Sequence, residues 1–307
     1  MMASRDMRSG ILLTVLASLI WGTSFPGIEW GLSHVGNDIY FLWLRFLIAS
    51  AVTMSVVLYF RKFDLAVLKE PIIWLIGGLN TAGFILQYVG QTYTNASKTS
   101  LLVDINIVAV AIVSYFVFKE RLGRKQLGGI ALGSFGVILV ASSSVTADGG
   151  ISFDTGQLFG DILVYIAGWC WAFFIIVSKK TLVKHGPIEI SSGAILVCML
   201  MLIPAVAYLY STGADFTVEP DGWIAAAYLG VFCTSAAILL WAMGLEAVSA
   251  TASATIMLIE VVTALAISFT FLDETLSRVA VVGAICVLAA IYLVASTPEE
   301  KTAVKST

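Results

Sequence analysis

The chain has 307 residues and a formal net charge of −3, and it is 59% hydrophobic but only 12% charged. Soluble domains carry roughly a quarter charged residues. The mean hydropathy of +0.95 therefore excludes an ordinary soluble domain and indicates an integral membrane protein. The lysines and arginines are scattered among short connectors and form no basic stripe, so we expect no nucleic-acid partner.

Long apolar runs follow one another along the chain with only short connectors between them. A helix needs about 20 apolar residues to cross a hydrocarbon core roughly 30 Å thick. The first run follows Arg5 and Arg8 as in a signal peptide, but it is too long and lacks a small-residue cleavage site, so we expect a retained helix. The runs predict ten transmembrane helices, at 10–32, 39–60, 71–92, 98–118, 125–143, 159–179, 188–210, 222–243, 249–272 and 277–296.

The predicted fold is thus an all-α integral membrane protein with short tails at 1–9 and 298–307. Its orientation follows from the basic residues, because cytoplasmic connectors carry an excess of lysine and arginine. With both termini cytoplasmic, the outer connectors hold only Lys98 and Arg278. We therefore predict cytoplasmic termini and a multi-pass location in the cell membrane.

The first predicted helix contains the stretch IWGTSFPGIEWG at residues 20–31, which is unusual for a membrane span. Pro26 removes a backbone donor and predicts a bend where cavity water or neighbouring helices can satisfy the freed carbonyl. Trp21, Phe25 and Glu29 are four residues apart, so they share one stripe of the helix. The stripe predicts a cavity-facing helix, with Glu29 near the outer interface as a mouth or gate residue.

Residues 90–142 align without a gap to residues 244–296, which indicates an internal repeat. At this constant offset Glu120 corresponds to Glu274, and the letters VAS end both copies. The repeat divides the chain into two similar halves and suggests a common architecture for each.

The two predicted halves span residues 10–143 and 159–297, with five helices each, and Trp21 falls opposite Trp171 near their starts. Because five is odd, the halves must insert with opposite orientation. Such inverted repeats are typical of secondary transporters, which bind substrate near the membrane midplane between the repeats. The repeat therefore predicts transport.

Several motifs resemble the EamA family of the drug/metabolite transporter superfamily, over nearly all of residues 10–297. They are IWGTSFPGIEWG, its counterpart WCWAFFIIVSKK, the segment KERLGRKQLGGIALGSFGVILV with its weaker copy DETLSRVAVVGAICVLAAIYLV, and Arg45 in LRFLIA. The resemblance implies two EamA units, a ten-helix fold, alternating access, and export of amino acids or other small metabolites. The chain departs from the family at Ile107 and Val261, where helix four and helix nine often carry proline, and this argues against a proline hinge there.

Polar groups near the midplane are candidates for contact with substrate or a coupling ion, because an ionisable side chain there costs at least about 2.5–3.5 kcal/mol. Glu260 lies near the middle of the ninth span, and Asn106 is its repeat mate in the fourth. The alternative for Asn106 is an interhelical hydrogen bond that only fixes packing.

Arg45 and Asp104 lie at similar predicted depths, six or seven residues from the outer face. An ion pair between them, structural or gating, is the preferred interpretation. The alternative is that Arg45 binds a substrate carboxylate directly.

The remaining candidates line helices that could border a cavity. Asn80 and Gln87 are seven residues apart and share a face of the third span, where they could offer hydrogen bonds. Trp21, Trp171 and Trp241 lie deep in their spans and could contact an apolar or aromatic substrate, although ordinary packing is the alternative.

Other function classes receive less support from the sequence. Multidrug cation efflux fits Glu260, whereas a sugar-phosphate or nucleotide-sugar exchanger would need clustered basic residues, and Arg45 is the one intramembrane arginine. No HExxH motif or paired nucleophile predicts a catalytic site, and no Cys or His spacing predicts a metal or cofactor. We expect a monomer or homodimer in the lipid bilayer that carries a small-molecule substrate.

Overall fold

The computed structural model describes residues 6–59, 65–118, 123–141, 144–145, 151–152, 155–272 and 277–295. The predicted repeat mates Glu120 and Glu274 lie outside the described residues, as do most residues of the two predicted tails. The described helices are α1 (Met7–Gly22), α2 (Ser24–Leu32), α3 (Asp38–Tyr59), α4 (Pro71–Gln91), α5 (Ala96–Val103), α6 (Ile105–Phe118), α7 (Arg124–Ala141), α8 (Thr155–Thr181), α9 (Pro187–Ser211), α10 (Pro220–Tyr228), α11 (Ala237–Ala247), α12 (Ala250–Ile256), α13 (Leu258–Phe271) and α14 (Arg278–Ala295).

Four short elements complete the described architecture. A 3-10 helix covers Leu65–Lys69, and a π-helical segment, Leu229–Ala236, joins α10 to α11. Two strands of two residues, β1 (Ser144–Val145) and β2 (Ile151–Ser152), pair antiparallel between α7 and α8. The architecture is a helical bundle, as the composition predicts.

Within the part of the chain that the structure describes, eight helical stretches are long and apolar enough to cross a membrane. They are Met7–Leu32, Asp38–Tyr59, Pro71–Gln91, Ala96–Val117, Thr155–Thr181, Pro187–Ser211, Pro220–Ala247 and Ala252–Phe271. The predicted fifth and tenth spans contain shorter apolar helical stretches, Leu127–Gly136 and Val281–Ala290. The all-helical membrane fold is confirmed, whereas the count of ten spans and the placement of the termini stay predictions.

The helix contacts of one half are matched by contacts of the other half. Helix α1 packs on α11 and α4 packs on α8, while α3 lies against α9 and α7 against α14. In the sequence, Gly90 and Gly244 are repeat mates. The spacing between Gly10 and Gly160 equals that between Trp21 and Trp171, which open the two halves. These glycines meet in two crossings of the same kind, Gly10 with Gly244 and Gly160 with Gly90.

The glycine crossings leave no room for a side chain. A Cβ on Gly244 would lie 2.9 Å from the carbonyl oxygen of Gly10, and a Cβ on Gly90 would lie 2.8 Å from that of Gly160. Helices that approach this closely in a membrane gain dispersion contacts, because small residues let the backbones meet.

We expect Gly244→Ala and Gly90→Ala each to lower the free energy of unfolding by about 1–3 kcal/mol, as overpacking does. Gly128→Ala is the matched control, since no heavy atom lies within 4 Å of a Cβ built there. Denaturation in detergent micelles measures the effect. Unchanged stability in both crossing variants would contradict the observed packing.

The first span is interrupted near Pro26, as predicted. Helix α1 ends at Gly22, Thr23 separates the two helices, and Pro26 lies in the first turn of α2. A proline ring collides with the carbonyl four residues earlier, which here belongs to Gly22. The Thr23 hydroxyl donates to the Ile20 carbonyl at 2.6 Å and so caps the end of α1.

The fourth and ninth spans are also interrupted, although neither break contains a proline. Helix α5 gives way to α6 at Asp104, and α12 gives way to α13 at Met257. In both breaks the amide three residues later donates to the carbonyl of the break residue, Ile107 at 3.1 Å and Glu260 at 2.9 Å. Each break is therefore a tight turn of 3-10 type. Neither break is a proline hinge, as Ile107 and Val261 indicated.

A charged cluster ties two connectors together outside the spans. The Glu70 carboxylate, just before α4, accepts from Lys184 Nζ at 2.8 Å and contacts His185 Nε2 at 3.0 Å. His185 Nδ1 also contacts the Glu189 carboxylate at 3.1 Å. Hydrogen bonds from Lys184 and then from His185 hold the pKa of Glu70 below its usual value.

The cluster predicts a pH-dependent contribution to stability. Because the pKa of Glu70 is lowered by folding, its contribution is fully present above the unfolded value, about 4.3, and is lost as the pH falls through the folded value. We expect the wild type to be more stable than Glu70→Gln at neutral pH, and the difference to close in acid. Melting curves of both proteins across pH measure it, and a difference that is independent of pH would contradict the prediction.

Candidate functional site

Side chains from both halves line a cavity, and the space among its wall atoms, open solvent included, is about 570 Å³. Its wall is mainly aromatic and apolar, with polar groups set into it. The aromatic members are Trp21, Phe25, Phe84, Trp171, Phe174 and Trp241. The polar members are Ser24, Arg45, Asn80, Gln87, Asn106 and Glu260, and the apolar members are Val103, Ile175, Ile238 and Met257.

The structure brings most of the predicted site residues together in this one cavity. Those that line it are Trp21, Arg45, Asn80, Gln87, Asn106, Trp171, Trp241 and Glu260. The two predicted site residues that do not line it are Asp104 and Glu29. The functional roles of all these residues stay predictions, because the structure gives their positions and does not test their activity.

Arg45 is fully buried on α3, and hydrogen bonds hold its guanidinium in place. Its Nε donates to Thr234 Oγ1 at 2.7 Å. Its Nη1 donates to Tyr88 OH at 3.2 Å and to Ser24 Oγ at 3.3 Å. The Phe84 ring centroid lies 4.6 Å from Cζ, within cation–π range. A permanent positive charge is therefore fixed at the cavity wall.

The π-helical segment between α10 and α11 supplies part of this arrangement. Thr234 donates to the Leu229 carbonyl, five residues earlier, at 2.9 Å. The Cys233 carbonyl accepts from Trp21 Nε1 at 2.8 Å and from Arg45 Nη2 at 3.4 Å. Such segments are often found at functional sites, because they turn backbone groups away from the helix axis. The sequence does not predict this segment, because no proline marks it.

The predicted ion pair between Arg45 and Asp104 is wrong. Arg45 donates to groups on α2, on α4 and in the π-helical segment, whereas both carboxylate oxygens of Asp104 have no hydrogen-bond partner in the described structure. The prediction rested on equal depth in the membrane, and depth does not fix the direction in which a side chain leaves its helix.

Glu29 joins two spans and does not line the cavity. Its carboxylate accepts the backbone N–H of Ala96, at the start of α5. At the equivalent point of the second half, Lys179 Nζ donates to the carbonyls of Leu245 at 2.7 Å and Val248 at 2.6 Å. In each half, this contact links the end of the first span to the chain where the interrupted span begins. A gating role for Glu29 stays a prediction.

Three polar side chains that line the cavity carry atoms without a hydrogen-bond partner in the described structure. They are Oε2 of Glu260, Oδ1 of Asn106 and Nδ2 of Asn80, all on side chains that are at least nine-tenths buried. Buried polar atoms are nearly always paired, so unpaired ones need an explanation. Polar atoms at a cavity wall are well placed to meet a polar ligand.

The aromatic walls are themselves held in fixed orientations. The Trp241 ring stacks on Phe174 at 5.1 Å between centroids and lies 6.1 Å from Trp21. The Trp241 indole donates to Ser253 Oγ at 3.1 Å. On the other side, Trp171 meets Phe84 edge to face at 5.3 Å. The cavity is therefore shaped before any ligand enters it.

A second charged contact that the sequence did not predict joins Lys98 to Asp161. Lys98 was expected in an outer connector, but it is buried on α5, where its Nζ lies 2.7 Å from Oδ2 of the buried Asp161. A buried lysine needs a paired carboxylate, and Asp161 supplies it. The signal was present, since both residues begin predicted spans on the same side of the membrane.

An apolar helical bundle with matched halves and a polar, aromatic cavity between them defines a multi-span membrane transport protein. The chain belongs to the EamA-like transporter family, whose model matches residues 8–142 and again 158–296.

Known proteins of similar sequence cover nearly the whole chain. An uncharacterized transporter of Archaeoglobus fulgidus is 28% identical over 288 residues, covering 92% of this chain and 96% of that protein. A probable amino-acid metabolite efflux pump of Salmonella typhimurium is 28% identical over 298 residues, covering 92% and 93%. One of Escherichia coli with the same description is 25% identical over 296 residues, with the same coverage.

A solved crystal structure has the same fold. It superimposes with a TM-score of 0.70 at 16% identity and covers 95% of this chain and 98% of the other. At this identity the likeness bears on the fold alone.

Proposed function

We propose that this protein is a secondary transporter that exports small organic metabolites, above all amino acids, by alternating access through the cavity between its halves. The observation that carries the proposal is the presence of Arg45 and Glu260 in one aromatic-lined cavity. The proposal includes an inverted five-plus-five topology in the cell membrane with both termini cytoplasmic, in a monomer or homodimer.

The chemistry of the cavity suits a free amino acid. The described partners of Arg45 leave one N–H of its Nη2 unused, and its fixed positive charge attracts a carboxylate. Glu260 and the faces of nearby tryptophans favour an ammonium group. The unpaired amide atoms of Asn80 and Asn106 offer further hydrogen bonds, and the aromatic wall accepts an apolar side chain.

The direction of transport is proposed from the relatives. Two proteins at 28% and 25% identity are described as probable amino-acid metabolite efflux pumps, which supports export of related compounds by this chain. Their substrates are not carried over individually, because side chains that contact substrate can differ at such identity.

The test is efflux from proteoliposomes that are loaded with a mixture of labelled amino acids. Vesicles with the purified protein should release a subset of them faster than protein-free vesicles, and an outward gradient of one substrate should drive uptake of another. Absence of accelerated release for every amino acid would contradict the proposed substrate class.

Efflux of organic cations is the second candidate, and one observation favours it. The cavity combines several aromatic rings with the buried carboxylate of Glu260, which is an arrangement that binds cations. Release of a lipophilic cation, without release of any amino acid, would select this alternative. A phosphate exchanger is less well supported, because Arg45 is the one basic side chain among the described residues of the cavity wall.

A further inference from the structure

Each half carries one buried carboxylate at the break of its interrupted span. Asp104 forms the break between α5 and α6, and Glu260 lies in the first turn after the break at Met257. Helix α13 packs against α5, and α12 packs against α6, so the two breaks lie side by side. Val103 and Asn106, on either side of the first break, line the same cavity as Met257 and Glu260 at the second break.

Neither carboxylate is compensated by a donor. Asp104 is 1% exposed and Glu260 is 7% exposed, and Oδ1 and Oδ2 of Asp104 and Oε2 of Glu260 have no partner in the described structure. Two like charges at short range in a medium of low dielectric constant cannot both be ionised without a large cost. One bound proton removes that cost, because it neutralises one of the two carboxylates.

The charged groups on the surrounding helices are already engaged. Lys98 on α5 is paired with Asp161 on α8, and Glu29 on α2 accepts a backbone amide. Arg45 on α3 donates to its hydroxyl and carbonyl partners. Two further titratable groups of the described core are the Tyr88 phenol on α4, which accepts from Arg45, and the Cys233 thiol in the π-helical segment.

We propose that Asp104 and Glu260 form one site that holds a single shared proton, so that the pair carries one negative charge. Its link to transport rests on the proposed function. When a substrate ammonium approaches Glu260 in the cavity, the proton leaves the pair for water, and one positive charge replaces another. Proton and substrate thus compete for the same carboxylates, which couples export of the substrate to entry of a proton.

The site is tested by infrared spectroscopy of the purified protein without any substrate, so its outcome is independent of the transport assays. The wild type should show the C=O absorption of a protonated carboxylic acid at neutral pH, and alkali should remove it. The double variant Asp104→Asn with Glu260→Gln should lack this absorption. Each single variant should lose its proton at a pH lower by at least about one unit, because the like charge is gone.

Asp161→Asn is the matched control, since Asp161 is equally buried but paired with Lys98. Loss of the absorption in this variant would assign the proton to Asp161 and overturn the proposal. Absence of the absorption in the wild type, its survival in the double variant, or removal by Na⁺ at constant pH would also overturn it. Absence of the absorption in the wild type is decisive alone, because that measurement requires no variant to fold.

Discussion

Arg45→Met should lower the transport efficiency for amino acids by about 30- to 1,000-fold, the effect of removing one partner of a buried, hydrogen-bonded charge pair worth roughly 2–4 kcal/mol. The guanidinium is held by Thr234, Tyr88 and Ser24 before substrate arrives, so its geometry need not be assembled during binding. Arg45→Lys should also be impaired, because an ammonium keeps the charge but lacks the planar fork.

Initial rates of efflux from proteoliposomes measure this effect, with Arg278→Met as the control at an exposed arginine. The same assay with the amide of the transported amino acid separates substrate binding from support of the fold. The Arg45 variants should transport the amide as well as the wild type does, since the amide has no carboxylate. Equal losses for both compounds would indicate a structural role and contradict carboxylate binding.

Glu260→Gln should lower amino-acid transport by a similar factor, about 30- to 1,000-fold. The substitution keeps the shape but removes the charge that we propose faces the substrate ammonium. Glu260 lines the cavity and is 93% buried, so water cannot replace the lost interaction easily. Transport of the deaminated acid, which lacks the ammonium, should be far less affected.

Glu219→Gln is the matched control, because Glu219 is exposed just before α10 and makes no side-chain cap bond. The ratio of transport rates for the amino acid and its deaminated form is the informative quantity. If Glu260→Gln left this ratio unchanged, the carboxylate would have no part in recognising the ammonium group.

The cavity residues could be found from sequence because polar groups inside a membrane are expensive. Glu260, Asn106, Asn80 and Gln87 stood out in apolar runs for this reason, and all of them line the cavity. The repeat also indicated that helix four and helix nine are equivalent, and both are interrupted near their midpoints.

Two features could not be predicted from the sequence: the direction in which a side chain leaves its helix, and local breaks in the helical backbone. A helical position gives depth, but the rotation of each helix is set by packing, so Arg45 and Asp104 were paired wrongly. The breaks at Asp104 and Met257 arise from single tight turns that no proline marks. The same holds for the π-helical segment, whose Cys233 carbonyl orients both Trp21 and Arg45.

The most direct test of the central claim is an experimental structure of the protein with a transported amino acid bound. Density for the amino acid is expected in the cavity. Its carboxylate should lie at Arg45, its ammonium at Glu260 and its side chain against Trp171 or Trp241. Density for the amino acid outside this cavity, or in it without contact to Arg45 and Glu260, would contradict the account.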